Sequence, residues 1–243
     1  SGGGNFERHV QTVFALTLLI DGFSPILNVP IQKLSFQAKY LGFAVDDLVV
    51  TATKAGQSAK LLCQIKHDLT ISAKNKTFQE VIAAAWNDFN QVDFRDTIDR
   101  IALITGIIAK DSVHALHQIH RHAVNSSSEE EFIRRMEIAS FTAESSRKKY
   151  AAIKSCVEAA NDDKQVSDRE MWHFCRCLVL LVFDLSFKES VNRTLIRSLI
   201  QSNSEQDAEL VWSRLAEQCG EWDQEAVVVT RDRIPNDIMK LFG

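Results

Sequence analysis

Asp47 and the triplet Gln64-Ile65-Lys66 are the residues whose types and spacing could do chemistry together. Lys60–Lys66 is short and mostly apolar, as a strand buried on one or both faces should be. Asp46-Asp47-Leu48-Val49-Val50 precedes it, and the stretch between holds Lys54-Ala55-Gly56-Gln57-Ser58, where Gly56 supplies turn chemistry. The two segments are therefore expected to form a hairpin. Alternation along a strand puts Gln64 and Lys66 on one face and turns Ile65 to the other. If the strands run antiparallel, Asp47 at the start of one lies beside Gln64 and Lys66 at the end of the next. An acid, a carbonyl-bearing amide and an amine then converge at one sheet edge.

The elements that must hold these residues can be read from the rest of the chain. Over Phe6–Ile20, apolar Phe6, Val10, Val13, Phe14 and Leu18 alternate with polar Glu7, Arg8 and Gln11 at helical spacing. Asn5 is expected to cap that helix and Gly22 to stop it. Pro25 and Pro30 mark an irregular link to a first strand over Ile31–Ala38. After Lys66, Thr77 and Glu80 read as a capping box for a helix over Phe78–Phe89, and Arg100–Thr105, bounded by Gly106, reads as a buried strand. From Lys110 to about Asp162 the chain is polar and helix-favouring, with Asn125-Ser126-Ser127-Ser128 capping a new helix at Glu129. Phe174–Leu185 is expected as a fifth strand, followed by helices over Ser190–Gln201 and Ser204–Cys219 and a short strand over Ala226–Val229. This order predicts an α/β fold, a mixed sheet flanked by helices. The expected divisions are a core over 1–109, a helical insertion over 110–172, and the remainder of the domain over 173–243.

The chain has 243 residues, 45% hydrophobic and 25% charged, the composition of a globular protein able to bury a substantial core. A net charge of −4 gives no global basic signature, so nucleic-acid binding would rest on a local patch. The five cysteines, Cys63, Cys156, Cys175, Cys177 and Cys219, are odd in number and include no Cys-x-x-Cys pair, pointing to a reduced, cytoplasmic protein. No apolar run is long enough to span a membrane, Cys175–Leu185 coming nearest. Ser1-Gly2-Gly3-Gly4 without an initiator Met reads as a trimmed or tagged start, and no secretory signal is recognised.

The Asp47, Gln64-x-Lys66 arrangement resembles the PD-(D/E)xK nuclease superfamily, in the variant where Gln replaces the second acid, as in Mrr-type enzymes. The flanking motifs extend the resemblance: an opening Gly-Gly before a helix carrying an acid, Val45-Asp46-Asp47-Leu48-Val49-Val50, Gln64-Ile65-Lys66-His67, and the run from Thr77 to Phe89. Over about residues 2–110 the chain is similar to DNA-degrading effector domains of bacterial anti-phage systems, both CBASS-type effectors and the nuclease heads of STAND-type antiviral ATPases. The resemblance implies a restriction-endonuclease-like α/β fold and a Mg²⁺- or Mn²⁺-dependent endodeoxyribonuclease. It implies double-stranded DNA as the partner, and homo-oligomers assembled through a sensor domain beyond Gly243. Phosphodiester hydrolysis needs a hard divalent ion that prefers oxygen ligands. Asp47 would supply the anionic ligand, with the Gln64 side-chain carbonyl and the Ile65 backbone carbonyl as neutral ones. Lys66 would orient the attacking water and stabilise the transition state, and Glu7 on the first helix would approach the same metal. Asp46 competes with Asp47, but alternation with Leu48-Val49-Val50 favours Asp47. A second reading is a catalytically inactive nuclease fold serving DNA binding or oligomerisation.

His67, Lys74 and Lys76 are the candidate nucleic-acid contacts, the lysines because they precede a helix N-terminus suited to phosphate. His114, His117, His120 and His122 cluster at helical spacing, but no His-Glu-x-x-His is present, and a solvated or interface helix face fits them better than zinc. Cys175-Arg176-Cys177 reads as buried, inert thiols, and Trp86, Trp172, Trp212 and Trp222 as core or subunit-interface aromatics.

Overall fold

The computed structural model describes residues 2–45 and 47–242. Asp46, the alternative acid beside Asp47, lies outside the described residues. Six strands, β1 (Ile31–Phe36), β2 (Leu48–Lys54), β3 (Gln57–Lys66), β4 (Arg100–Thr105), β5 (Leu178–Val182) and β6 (Val228–Thr230), form one sheet in the order β5-β4-β3-β2-β1-β6. The pairs β1–β2, β2–β3 and β1–β6 are antiparallel, while β3–β4 and β4–β5 are parallel. The sheet is thus mixed, as the order of elements in the sequence requires.

Helices flank both faces: α1 (Gly2–Leu19), α2 (Lys76–Phe89), α3 (Lys110–Val124), α4 (Glu129–Glu137), α5 (Glu144–Ala160), α6 (Asp168–Cys177), α7 (Val191–Asn203), α8 (Ala208–Gln224) and the short α9 (Asn236–Met239). Strand alternation divides the core in two. Leu61, Cys63 and Ile65 of β3 join the cluster built on α1 and α8, whereas Leu62 joins the cluster built on α2, α3, α5 and α6. Trp86, Trp172, Trp212 and Trp222 are all buried, and so are the five free thiols.

The β2–β3 hairpin closes in two residues, Ala55 (φ 50) and Gly56 (φ 75), between the paired Lys54 and Gln57. Two consecutive positive φ angles make the turn whose twist matches that of the flanking strands. That register places Leu48 opposite Cys63 and hence Asp47 level with Gln64.

Several boundaries differ from those expected, each for a local reason. Helix α1 starts at Gly2, so Asn5 lies within it. It ends at Leu19, Asp21 turns the chain away in the left-handed region (φ 54), and Gly22 is needed because a Cβ there would come 2.9 Å from the Thr17 methyl. Helix α2 is capped by Asn75, whose side chain accepts from the Phe78 N–H at 2.9 Å, leaving Thr77 inside the first turn. The apolar run from Phe174 is strand only from Leu178, because a Ser167/Glu170 capping box starts a helix that runs through Cys177. At Ser128 the expected cap is present, with its side chain accepting from the Glu131 N–H at 3.2 Å. Ser128→Ala is expected to cost about 1 kcal/mol of stability, measurable by urea unfolding.

The histidine cluster has a structural account. Strand β5 lies at the sheet edge, and His117 Nε2 donates to Leu180 O at 3.3 Å while His120 Nδ1 donates to Cys175 O at 3.1 Å. His122 Nε2 donates to Phe141 O at 3.1 Å. Burial holds His120 and His122 below the ordinary histidine pKa, so they act as neutral donors to backbone carbonyls. His117 thus covers one carbonyl of an edge that would otherwise present open backbone groups, and His120 one in the last turn of α6.

Candidate functional site

The two strands bring Asp47, Gln64, Ile65 and Lys66 together where β3 ends and β2 begins. Asp47 is buried, and its Oδ2 accepts from Gln64 Nε2 at 2.6 Å, from the Ile65 N–H at 2.6 Å and from Lys66 Nζ at 3.5 Å. Gln64 is only 6% exposed, so it is not a solvated strand face. With its amide nitrogen given to Asp47, the carbonyl oxygen of Gln64 turns away from that carboxylate. Lys66 is the member that reaches solvent, its side chain 34% exposed.

Glu7 enters from α1. Burial, then the neighbouring charges of Asp47 and Asp223, hold its carboxyl up at about 7 against the opposing pull of Lys66 and Arg8. Asp223 on α8 is fixed by Gln11 Nε2 at 2.9 Å and Gln37 Nε2 at 3.0 Å. The lack of a side chain at Gly220 leaves room for the Arg8 guanidinium against α8. Three acids and two cations therefore share one end of the sheet.

The carboxyl ends of the parallel strands complete this region. Lys66 lies in register with Thr105, whose hydroxyl is buried with no hydrogen-bond partner among the described residues. In the loop after β5, Asp184 Oδ1 is likewise buried and unpartnered. A cleft of about 260 Å³ opens at His67, the residue that follows Lys66, and is lined also by Asn5, Phe6, His9, Leu185 and Ser186. His67 is positioned by Asp68 (2.9 Å) and Ser186 (3.4 Å), and its carbonyl accepts from the Gly106 N–H at 3.0 Å. A Cβ at Gly106 would come 2.9 Å from that oxygen, so the residue that follows β4 must be glycine. Open α/β sheets take their ligands in the crevice beyond the carboxyl ends of parallel strands.

Lys74 and Lys76 precede and open α2, as the sequence places them. Lys76 pairs with Glu80 at 3.8 Å, both well exposed, and neither lysine contacts the Asp47 cluster. His9, Thr105, Asp184 and Asp223 did not stand out in the sequence. Asp184 carried a usable signal, as the first acid after the apolar run Leu178–Phe183.

Among the described residues no group of three His, Cys, Asp or Glu side chains could hold a metal. The oxygen donors present at the site are the carboxylates of Glu7 and Asp47, and the Ile65 carbonyl on the same strand edge as the N–H that reaches Asp47. The crowding that raises the Glu7 pKa is what a cation would relieve.

No family model matches this sequence, and no curated protein matches it. Solved structures match its fold. The chain aligns with Acinetobacter baumannii Cap4, described as a SAVED/CARF-domain containing receptor with the cyclic trinucleotide 3'3'3'-cAAA, at 10% identity with a TM-score of 0.51. That alignment covers 93% of this chain and 44% of the receptor. The structure described as the receptor alone, and the one with 2'3'3'-cAAA, align at 10% identity over 93% of this chain, each with a TM-score of 0.50, covering 43% and 42% of the receptor. At that identity the likeness shows a shared fold, and this chain spans less than half the length of the chains it matches. These solved examples are described as receptors, two of them with a cyclic trinucleotide, and not as PD-(D/E)xK nucleases. That finding corrects the nuclease reading. The endodeoxyribonuclease activity, its magnesium-dependent cutting, double-stranded DNA as partner, and oligomers of a nuclease assembled through a sensor are withdrawn together, and the inactive DNA-binding variant of that reading goes with them. Among the described residues no helix is long and apolar enough to cross a membrane.

Proposed function

We propose that this domain is a receptor module of anti-phage defence that binds a phosphodiester-linked cyclic oligonucleotide at the carboxyl end of its sheet. The observation that carries the reading is the buried Asp47–Gln64–Lys66 cluster at the strand end, followed by His67, which lines the cleft, with buried unpartnered polar atoms at Thr105 and Asp184 on the neighbouring strand ends. Buried polar atoms without partners are uncommon in a folded chain, and two of them at adjacent strand ends suit a ligand rich in hydroxyl and phosphate oxygens. The order of one helix, three antiparallel strands, a helix and a parallel strand supports reading the fold as restriction-endonuclease-like, here used as a binding scaffold.

In this reading Lys66 meets a phosphate oxygen, Asp47 holds the ammonium in place, and Gln64 and the Ile65 N–H hold Asp47. Protonated Glu7 donates a hydrogen bond to the ligand. Ionised, Glu7 joins Asp47 and the Ile65 carbonyl in holding a divalent cation, Mg²⁺ or Mn²⁺, which supplies neutralising charge to the phosphates. His67 lines the cleft, and Lys74 and Lys76 add positive charge near the start of α2. Calorimetric titration with 3'3'3'-cAAA tests the reading. Binding is expected in the micromolar range, and Lys66→Ala should weaken it about 10- to 100-fold, the size of a charge-assisted hydrogen bond. A folded wild-type protein that releases no heat with 100 µM ligand (roughly a hundred times a 1 µM Kd) rejects it.

A further inference from the structure

A second depression, of about 570 Å³, lies between the loop leading into β2 and the last turns of α2 and α5. It shares no residue with the cleft at the sheet end. Lys39, Phe43, Asn87, Asn90, Gln91 and Asn161 line it, and no carboxylate does. Carboxamides dominate the lining, and they differ in what they have left to offer. Asn90 Nδ2 is given to Trp86 O at 2.8 Å and Gln91 Nε2 to Asn87 O at 3.4 Å, which leaves their carbonyl oxygens as acceptors. The side chains of Asn87 and Asn161 make no hydrogen bond among the described residues, so each retains a donor and an acceptor in one plane. The wall is held in place: the Ala44 and Val45 N–H groups donate to the buried Asp88 carboxylate at 2.7 and 2.6 Å, and Gly42 turns at φ 90.

We propose that this groove binds a nucleoside monophosphate. A planar carboxamide presents donor and acceptor side by side, the pattern that matches the edge of a nucleobase. Phe43, half-buried with Lys60 Nζ 5.4 Å from its ring centroid, is the partly exposed aromatic of the lining against which a base would pack. Lys39 is the one cation of the lining, and with no acid beside it the groove suits a single phosphate. Its volume falls in the range of small-ligand sites, about 300–1,000 Å³, while its polar lining argues against an apolar ligand.

The test is a titration of ¹⁵N-labelled protein with AMP, GMP, CMP and UMP, followed by NMR. At least one nucleotide should bind with a Kd near 1 mM or below, about 4 kcal/mol, and shift the side-chain NH₂ signals of Asn87 and Asn161. The double variant Asn87→Leu/Asn161→Leu, with unchanged melting temperature, should weaken that binding at least tenfold. Lys39→Ala should reduce the nucleotide to the affinity of its nucleoside. Any of these results would overturn the inference: no binding of any nucleotide at 5 mM (about five times that Kd), unchanged affinity in the double variant, or shifts confined to residues 64–67. Excess 3'3'3'-cAAA should not displace the bound nucleotide, and displacement would merge the two sites and overturn it as well. Because the mononucleotide titration is read without the cyclic ligand, failure of the receptor reading leaves this result standing.

Discussion

Asp47→Ala is expected to lower the free energy of unfolding by about 3 kcal/mol, a large effect for one surface-proximal residue. The carboxylate is buried and its Oδ2 takes three donors, the Gln64 amide, the Ile65 N–H and the Lys66 ammonium. Truncation strands all three. Gln64 and the Ile65 N–H cannot recover the lost bonds from bulk water, because Gln64 is itself buried and Ile65 is 2% exposed. Lys66 can reach solvent and loses less. Asp47→Asn keeps an oxygen for one donor but sets an NH₂ against the others, so its cost should be intermediate, about 1–2 kcal/mol. Urea unfolding at pH 7.5 measures both. A loss below 0.5 kcal/mol for Asp47→Ala, within the usual scatter of surface changes, would show that the cluster does not anchor the end of the hairpin.

The Asp47 contacts also show what the sequence could disclose. Strand alternation and a two-residue turn are local properties, so the level of Asp47 against Gln64 and Lys66 follows from the residue pattern alone. The same holds for the mixed sheet and for the cap at Ser128. The run from Phe174 could not be read this way, because short apolar segments are shared by buried strands and buried helices. Its division at Leu178 depends on a cap eleven residues upstream, at Ser167. The remaining site residues come together through tertiary packing. Asp223 is more than two hundred positions from Glu7, and Thr105 meets Lys66 only through the parallel pairing of β3 with β4. What the site binds was legible least of all. An acid, an amide and a lysine at a strand end suit several kinds of phosphate chemistry, and the choice among them lay outside their spacing.

The Glu7 carboxyl should make both stability and binding depend on pH near neutrality. Its folded pKa of about 7 lies above the ordinary 4.5, so between those values folding takes up a proton. Its contribution to stability is therefore full below pH 4.5 and is lost as the pH rises through 7. The whole shift would amount to about 3 kcal/mol, and solvent screening at this half-buried group reduces it to about 1–2 kcal/mol. Glu7→Gln should remove that slope, leaving the variant more stable than the wild type at pH 8 and similar at pH 5. In chelator, ionisation of Glu7 adds a negative charge beside Lys66, and at about 5 Å and an effective dielectric near 40 this is worth about 1.7 kcal/mol against a phosphate. Affinity for 3'3'3'-cAAA should then fall roughly tenfold between pH 6 and pH 8. With 5 mM Mg²⁺ (on the order of a hundred times a 50 µM cation Kd) the trend should reverse, because the ionised pair of Glu7 and Asp47 gains a cation that draws the phosphate in. Urea unfolding and calorimetry at the two pH values measure these slopes. A wild-type protein whose stability and affinity match Glu7→Gln at both would place Glu7 outside the electrostatics of the site.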